Sequence, residues 1–375
     1  MILNDICEFI VDCPHTTAPD EGAGYPLIRT PNIGKGRLVL NGVHRVSEKV
    51  YRQRIQRGMP QDDDLIFARE APAGNVAIVK NGEKVCLGQR TVLLRPDKSK
   101  VCPDYLVYYI LAPAQQYKLL GTANGATVAH INLPVIRNMP VELPPLEVQE
   151  TVAGYLSVYD NLIENNQKQI KLLEEAAQRL YKEWFVDLRF PGYEETPIVD
   201  GVPEGWKKVG LDSIAPIVTG KKDANFGTPD GKYQFFTCAQ EPIKSPSYSF
   251  DCDAVILAGN GDFNVKLYRG QFEAYQRTYV FSPYDTDHLY LLYHAVRESM
   301  RQLFQGASGS TIKFLTKHML EDISVYIPEA SILQEYNSNC EAIQKKIECL
   351  KEQIICSQEA RDRLLPKLMS GEIEA

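Results

Sequence analysis

The triplet Gln-Arg-Thr occurs twice in this chain, at residues 89–91 and again at residues 276–278. Glutamine and arginine side chains each offer two hydrogen-bonding atoms, which suits contact with a planar nucleobase edge or with a phosphate. Apolar residues come immediately after both triplets, so the triplets could equally be the structural starts of two strands. The candidate binding residues from this pattern are Gln89, Arg90, Thr91, Gln276, Arg277 and Thr278.

A second set of candidates lies in a basic segment. Residues 20–100 contain fifteen Lys or Arg and nine Asp or Glu, although the whole chain has a formal net charge of −7. The acidic residues are in excess in segments 147–187 and 329–375, so the chain is not a uniformly basic binder, but a local contact with a polyanion stays open. Ordinary solvated surface is the alternative. The candidates between residues 29 and 57 are Arg29, Lys35, Arg37, Arg45, Arg52, Arg54 and Arg57.

Known catalytic sequence patterns are missing from the chain. It has no GxxxxGK[ST] phosphate loop, no GxSxG, no HExxH and no NPPY-like segment of an amino-methyltransferase. The six histidines do not cluster, and the nine cysteines form no CxxC pair, which argues against zinc. We therefore expect no metal and no cofactor on this chain, although an active site assembled in three dimensions stays open.

The cysteine pattern and the hydropathy suggest a compartment. Scattered cysteines in an odd number favour a reduced, cytoplasmic protein. We expect no membrane span, because no apolar run reaches the necessary length, and no signal peptide, because the first residues lack a basic region before an apolar core.

The two Gln-Arg-Thr triplets belong to a longer internal repeat with an offset near 184 residues. GATVAHINLPVIRNMPVELP at 125–144 aligns without a gap to GSTIKFLTKHMLEDISVYIP at 309–328. A duplication of this kind predicts two copies of one structural plan. Shorter matches pair DLIFA (64–68) with DAVILA (253–258), and LNDI (3–6) with LDSI (211–214).

Each copy predicts a strand-rich globular part followed by one long helix. Short apolar runs separated by Gly, Pro, Asn and Asp are typical of strands and turns, and one shorter helix is expected in each copy, at 103–120 and at 287–304. The predicted fold class is α+β: two globular α/β domains separated by a long antiparallel two-helix coiled coil, with an internal pseudo-two-fold repeat. The predicted boundaries are 1–145 for the first domain, 146–188 for the central helical spacer, 189–328 for a linker and the second domain, and 329–375 for the C-terminal helical spacer.

Apolar residues recur at heptad spacing in both long helical segments, which predicts a seam for a partner helix. Asn166 is the polar exception in the first helix, and Pro366 is expected to kink or end the second one early. Chain order favours antiparallel pairing within the chain, with pairing to another chain as the alternative. The seam residues are Leu156, Ile163, Ile170, Leu173, Leu180 and Trp184 in the first helix, and Ile343, Ile347, Leu350, Ile354 and Leu364 in the second.

Small residues precede the last part of each repeat, at 125–127 and at 309–311. Such turns let backbone N–H groups approach a phosphate, though a plain turn fits as well. Thr127 and Thr311 are therefore further candidates. The remaining candidates are Arg69 in the first copy and Lys221, Lys222, Asn260 and Lys266 in the second.

The stretch ELPPLEVQETVAGYLSVYDNLIENNQKQIKLLEEAAQRLYKEWFVDLRFPG at 142–192 resembles the central repeat of type I restriction–modification specificity subunits, the HsdS family. PEGW at 203–206 and LLPKLMSGEI at 364–373 are similar to other recurring stretches of that family, so the resemblance extends over the whole chain. It implies a DNA-binding protein that catalyses nothing itself. Each globular part, a target recognition domain, would read one half of a split, asymmetric site in double-stranded DNA, and the helices would set the gap.

The resemblance also implies partner subunits. Two modification subunits would dock along the helices and recognition domains and methylate adenine N6 with S-adenosylmethionine. Restriction subunits would add translocation and cleavage that depend on ATP and Mg²⁺, and no membrane partner is expected. Two other classes remain as alternatives: a non-catalytic coiled-coil scaffold with two protein-binding heads, and a nuclease or methyltransferase with a cryptic site.

Overall fold

The computed structural model describes residues 1–121, 129–261, 263–307 and 313–373. The chain forms two compact units: unit 1 comprises Met1–Gln167 with Lys351–Ala375, and unit 2 comprises Lys168–Leu350. Unit 1 therefore includes residues from both ends of the sequence, and each of the two long helices contributes to both units.

Unit 1 is built on a central sheet. Its strands are β1 (Cys7–Asp12), β2 (Tyr25–Ile28), β3 (Gly36–Arg37), β4 (Arg45–Val46), β5 (Leu65–Ala68), β6 (Val76–Ile78), β7 (Cys86–Leu87) and β8 (Thr91–Pro96). Five of them form a sheet in the order β1-β8-β5-β6-β3, and three form a second sheet in the order β4-β2-β7. All of β5 is buried, because Leu65 and Phe67 pack on one face of the sheet while Ile66 and Ala68 pack on the other. A strand covered on both faces has an unbroken apolar sequence, which is why DLIFA is recognisable.

The shorter helices of unit 1 differ from the prediction at one point. They are α1 (Glu48–Arg54), α2 (Pro103–Leu111), α3 (Pro113–Gly121) and α4 (Leu133–Arg137), with 3-10 turns at Leu3–Ile6 and Thr30–Asn32. The single helix predicted over 103–120 is thus two helices, with Ala112 between them at ψ 138°. Pro113 is the cause, because a proline disfavours the helical conformation of the residue before it.

The central helix α5 spans Leu146–Tyr181 and continues as a π-helical turn, Lys182–Val186. The C-terminal helix, labelled α8 after two shorter helices of unit 2, spans Ala330–Ser370 and includes Pro366. The expectation that Pro366 ends this helix early is wrong. Leu365 and Leu368, which flank it, are buried in the core of unit 1, and this packing offsets the hydrogen bond that a proline cannot donate.

Within unit 1 the two long helices run antiparallel. Asn166 of α5 donates to Gln353 Oε1 of α8 at 3.1 Å, and Arg361 of α8 contacts Asp160 of α5 at 2.6 Å. Asn166 comes after Asp160 in α5, whereas its partner Gln353 comes before Arg361 in α8, so the two helices run in opposite directions. Of the predicted seam residues in unit 1, Leu156 and Ile163 are buried, and Ile354 and Leu364 are half-buried. Of those in unit 2, Trp184, Ile347 and Leu350 are buried, and Ile170, Leu173, Leu180 and Ile343 are half-buried.

A buried ion pair joins α8 to the core of unit 1. The Asp160 side chain is 2% exposed and that of Arg361 12% exposed. The Tyr108 hydroxyl of α2 also donates to Asp160, at 2.6 Å. Burial and the adjacent carboxylate raise the pKa of Tyr108 far above its usual range, so this hydroxyl stays protonated and donates. One carboxylate therefore connects three helices.

Unit 2 repeats the sheet of unit 1. Its strands are β9 (Ile198–Val199), β10 (Val202–Pro203), β11 (Lys207–Gly210), β12 (Val218–Thr219), β13 (Tyr233–Phe236), β14 (Ile243–Ser245), β15 (Phe250–Ala258), β16 (Val265–Ala274), β17 (Thr278–Phe281) and β18 (Ser324–Ile327). Its helices are α6 (Leu289–Gly306) and α7 (Lys317–Glu321), with 3-10 turns at Leu211–Ser213, Ala224–Phe226 and Thr286–His288. Six strands form a sheet in the order β12-β17-β15-β16-β13-β14, while β9 pairs with β10 and β11 with β18.

The first five strands of this sheet match those of unit 1 in order and direction. β8 pairs antiparallel with β1 and β5, as β17 does with β12 and β15. β3 pairs parallel with β6, as β13 does with β16. The register matches too, since Ala68 faces Thr91 and Ala258 faces Thr278. The internal repeat seen in sequence is therefore a repeat of topology.

The core of unit 2 includes an aromatic cluster at the end of α5. Phe185 is 1% exposed and contacts the rings of Trp184, Trp206 and Tyr336. The Tyr336 hydroxyl lies 2.7 Å from Nδ1 of His294, which is 3% exposed. The cluster ties the end of α5 to α6 and α8 within this unit.

The start of α8 is also held in unit 2 by a polar contact. Arg269 of β16 contacts Glu341 at 3.0 Å, and the Tyr290 hydroxyl donates to the same carboxylate at 2.6 Å. The Arg269 and Tyr290 hydrogen bonds lower the pKa of Glu341 to about 2. The described residues include no helix with the length and apolar character needed to cross a membrane.

Candidate nucleic-acid interface

In unit 1, backbone hydrogen bonds bring three separate segments together beside the central sheet. The N–H of Arg69, just after β5, donates to the carbonyl of Arg90 at 2.9 Å. The N–H of Ile131, just before α4, donates to the carbonyl of Arg69 at 3.0 Å. The first Gln-Arg-Thr triplet therefore lies beside the end of β5 and the final segment of the repeat.

Unit 2 has the same arrangement at the corresponding positions. The N–H of Gly259 donates to the carbonyl of Arg277 at 2.8 Å, and the N–H of Leu315 donates to the carbonyl of Gly259 at 2.8 Å. Arg90 and Arg277 thus occupy equivalent backbone positions, and both side chains are exposed. We define the loop surface of each unit as these three joined segments.

The loop surface of unit 1 contains a chain of ionic contacts. Arg69 Nη1 lies 2.7 Å from Asp12, and Arg69 Nη2 lies 2.8 Å from Nε2 of His130. His130 Nδ1 lies 2.7 Å from Glu70 Oε1, and Glu70 Oε2 lies 2.6 Å from Arg90 Nη1. We call these five residues the Arg90 network.

The hydrogen-bond partners of His130 determine which of its two ring nitrogens carries the proton. A guanidinium has only donors, so His130 Nε2 must accept the hydrogen bond from Arg69. His130 Nδ1 then carries the proton and donates it to Glu70. The contacts therefore run in series from Asp12 through Arg69, His130 and Glu70 to Arg90, whose side chain is 62% exposed.

The loop surface of unit 2 has different chemistry at the same positions. Gly259, Asn260 and Phe314 correspond to Arg69, Glu70 and His130 in the aligned repeats. Asn260 pairs with Phe314 through an isolated β-bridge, and the Phe314 side chain is 39% exposed. The surface of unit 2 is therefore amide and aromatic where that of unit 1 is ionic.

The two glutamines of the triplets are anchored by side-chain hydrogen bonds. Gln89 Nε2 donates to the carbonyl of His15 at 3.0 Å, and Gln276 Nε2 donates to Asp223 Oδ1 at 2.9 Å. Both contacts hold the loop that bears the exposed arginine. The threonines behave differently: Thr91 and Thr278 are fully buried in the sheet, so their side chains lie away from any surface DNA could reach. Neither threonine belongs to the proposed interface.

The basic segment of unit 1 divides into exposed and internally bonded side chains. Lys35 is exposed, whereas Arg37 lies 3.8 Å from Asp104 and 3.9 Å from Glu164 of α5. Arg29 is half-buried, and its Nε is without a hydrogen-bond partner among the described residues.

Arg54 does not belong to a solvated surface. It is 4% exposed and donates to the carbonyls of Leu87 and Thr16. Carbonyl acceptors stabilise this buried cation, so its role is structural.

In unit 2 the basic candidates lie close to the triplet. Lys221 is exposed, and Lys222 lies over the ring of Phe226 at 4.5 Å. Lys222 also accepts a backbone hydrogen bond from Gln276 at 2.9 Å. Lys266 donates to the carbonyl of Ala239 at 2.9 Å. Thr127 and Thr311 lie outside the described residues.

Sequence reasoning missed Glu70 and His130, which both belong to the Arg90 network. The usable signal was positional: His130 falls within the aligned segment 125–144, and Glu70 follows Arg69 directly. Nothing in residue type alone separates them from ordinary surface residues.

Fold and site together define a class of protein: tandem recognition modules that share one sheet topology, present exposed cationic loops and are connected by long helices. The chain belongs to the family of the type I restriction modification DNA specificity domain, whose model matches residues 1–175 and 203–354.

Relatives of known name agree with this assignment. The chain is 26% identical over 387 residues to the type I restriction enzyme MjaIX specificity subunit of Methanocaldococcus jannaschii, a match that covers 94% of this chain and 87% of that protein. It is 44% identical over 132 residues to the EcoDI specificity subunit of Escherichia coli, a match that covers 35% of this chain and 29% of that protein. The fold is similar to a crystal structure of a type I restriction-modification S subunit from M. genitalium, with a TM-score of 0.55, 14% identity, and coverage of 98% of this chain and 95% of that one.

Proposed function

We propose that this chain is the DNA sequence-recognition subunit of a type I restriction–modification complex. Each unit reads one half of a bipartite, asymmetric site, and the long helices set the gap between the halves. The observation that carries the proposal is the equivalence of Arg90 and Arg277, which one shared topology brings to the same exposed position. Arginine is the side chain best suited to bidentate contact with guanine or phosphate.

The difference between the two loop surfaces supports an asymmetric site. The ionic Arg69, Glu70 and His130 of unit 1 stand where unit 2 has Gly259, Asn260 and Phe314. Ionic side chains and amide or aromatic side chains prefer different base edges in the major groove. The two half-sites therefore differ in sequence.

The long helices suit the roles of spacer and docking surface. The 36 residues of α5 span about 54 Å at the usual rise per residue. Tyr155, Val158 and Leu162 of α5 are 55%, 62% and 42% exposed and share one helical face. An exposed apolar stripe of this kind is typical of a protein-binding site, and a modification subunit is the proposed occupant.

The chemistry belongs to the partners in this proposal. Two modification subunits bring S-adenosylmethionine and methylate adenine N6, and restriction subunits bring ATP and Mg²⁺. The specificity subunit itself is non-catalytic and carries no cofactor. The cytoplasm, where chromosomal DNA and such partners would meet the chain, is the proposed location.

Methylation sequencing tests the proposal. Cells that express this chain with its cognate modification subunit are expected to carry adenine methylation in a bipartite motif, and deletion of this gene alone should abolish it. Restoring the gene should restore the same motif. A methylation pattern that persists after the deletion would favour a non-DNA scaffold and contradict the proposal.

DNA binding is expected to depend on the modification subunit. The chain has a net charge of −7, and Arg37, Arg69 and Arg90 contact carboxylates of the same unit, so alone it should bind DNA weakly. With the modification subunit, specific binding at about 10⁻⁸ M or tighter is expected. Gel-shift titration with cognate and scrambled duplexes measures both. Nanomolar specific binding by the isolated chain would contradict this expectation.

A further inference from the structure

The Arg90 network holds an exposed arginine in a defined direction. Arg90 itself has φ +64°, a left-handed conformation that few non-glycine residues adopt. Its Nη1 contacts Glu70 at 2.6 Å, and the Glu70 side chain is only 16% exposed. The backbone conformation and the half-buried carboxylate therefore both restrict where the guanidinium points.

The carboxylate is itself fixed from behind. His130 donates to the Glu70 oxygen that Arg90 does not use, and Arg69 donates to His130. Arg69 is anchored in turn by Asp12 and by the carbonyl of Ile131, at 2.7 and 3.0 Å. Arg69, His130 and Glu70 thus each have a partner on both sides, and Arg90 is the exposed end of the series.

An arginine held in this way retains its recognition edge. A guanidinium has five N–H donors, so a contact through Nη1 leaves donors on Nη2 and Nε for a second partner. Two adjacent donors match the O6 and N7 acceptors that guanine presents in the major groove. A flexible lysine, or an arginine without a fixed partner, would contact a phosphate as readily as a base edge. Orientation of the guanidinium by a carboxylate favours contact with a base edge.

We propose that Glu70 and His130 are positioning residues that direct Arg90 to a guanine in the half-site read by unit 1. The inference rests on the proposed function and identifies one base of the target and the residues that select it. Unit 2 has Gly259, Asn260 and Phe314 in place of the network, so Arg277 recognises its half-site without this support. The second half-site is therefore an internal control.

Methylation profiles of the assembled complex test the inference. Variants are expressed with the cognate modification subunit, and long-read sequencing gives the methylated fraction of the motif and of every single-base variant of it. Arg90→Ala should reduce discrimination for guanine at one position of one half-site by about 10- to 100-fold. Glu70→Ala should lower the same discrimination about 10-fold, and Glu70→Gln, which keeps an acceptor oxygen, should lower it less.

The histidine offers a matched pair of variants. The amide of His130→Gln can donate to Glu70 and accept from Arg69, so this variant should retain the preference for guanine. His130→Phe, which places the unit 2 side chain at this position, should lose part of it. Glu48→Ala removes a carboxylate that pairs with Arg52 on the surface of α1 and should leave every base preference unchanged. The base preferences of the other half-site should not change in any variant, which also shows that the complex has assembled.

Several results would overturn the inference. One is an equal loss of methylation at all sequence variants in Arg90→Ala, which is the behaviour of a phosphate contact. Another is a set of base preferences in Glu70→Ala and His130→Phe that equals that of the wild type. If Glu70→Ala prevents assembly, the Glu70→Gln profile and the comparison of His130→Gln with His130→Phe decide the question. If wild-type methylation shows no bipartite motif, the proposed function itself fails; if the motif is present but these profiles do not shift, only the inference fails.

Discussion

Replacement of Arg361 by methionine is expected to destabilise unit 1 by about 3–5 kcal/mol. The substitution removes the positive partner of Asp160, whose side chain is 2% exposed and connects α5, α8 and α2 through Arg361 and Tyr108. Methionine fills a similar volume but leaves a buried carboxylate with one remaining hydroxyl donor. An uncompensated buried charge costs far more than the pair itself contributes to stability.

Urea unfolding at neutral pH, followed in the intact chain, measures this effect. Arg363→Met is the matched control, because Arg363 lies on the same helix and is 82% exposed in its contact with Glu359. A surface pair of this kind contributes at most about 1 kcal/mol. The double variant Asp160→Asn with Arg361→Met removes both charges and should recover part of the lost stability. An Arg361→Met variant as stable as Arg363→Met would show that Asp160 is not dependent on its ion pair.

The parts of this fold that sequence predicts well are those set by local pattern. DLIFA and DAVILA are strands β5 and β15 because central strands need apolar residues on both faces. The long helices follow from heptad spacing over many turns. Pro113 and Pro366 show the limit of local rules: the first ends α2, whereas the second lies within α8 because the surrounding leucines are packed in a core. Each proline gives the same signal in the sequence, and tertiary packing determines whether the helix ends there.

Contacts between distant residues explain what the sequence could not show at the candidate interface. Glu70 and His130 are sixty residues apart, and only the backbone bonds of the loop surface bring them together. Arg54 is indistinguishable from its basic neighbours in sequence, yet it is buried against carbonyl groups of other segments. The duplication gives the best long-range information in the sequence, because the repeated triplet marks Arg90 and Arg277 as equivalent.

Acidification is expected to destabilise unit 2 through His294. Burial, with a smaller contribution from nearby Arg297, lowers the pKa of His294 to about 3. An unfolded histidine has a pKa near 6.5, so between pH 6.5 and 3 the unfolded state binds the proton and the folded state does not. The stability associated with neutral His294 is therefore complete above pH 6.5 and is lost progressively as the pH falls, by at most about 1.4 kcal/mol per pH unit.

The test compares the slope of unfolding free energy against pH in wild type and His294→Gln, between pH 6.5 and 5. Unfolded carboxylates have a pKa near 4, so they contribute little to the slope in this window. Glutamine cannot take up a proton and can still bond to the Tyr336 hydroxyl, which lies 2.7 Å from the imidazole. The variant should therefore be less sensitive to pH even if it is less stable overall. His318→Gln, at a side chain that is 83% exposed, should retain the wild-type slope. Equal slopes for wild type and His294→Gln would show that His294 is not the group that makes unit 2 sensitive to acid.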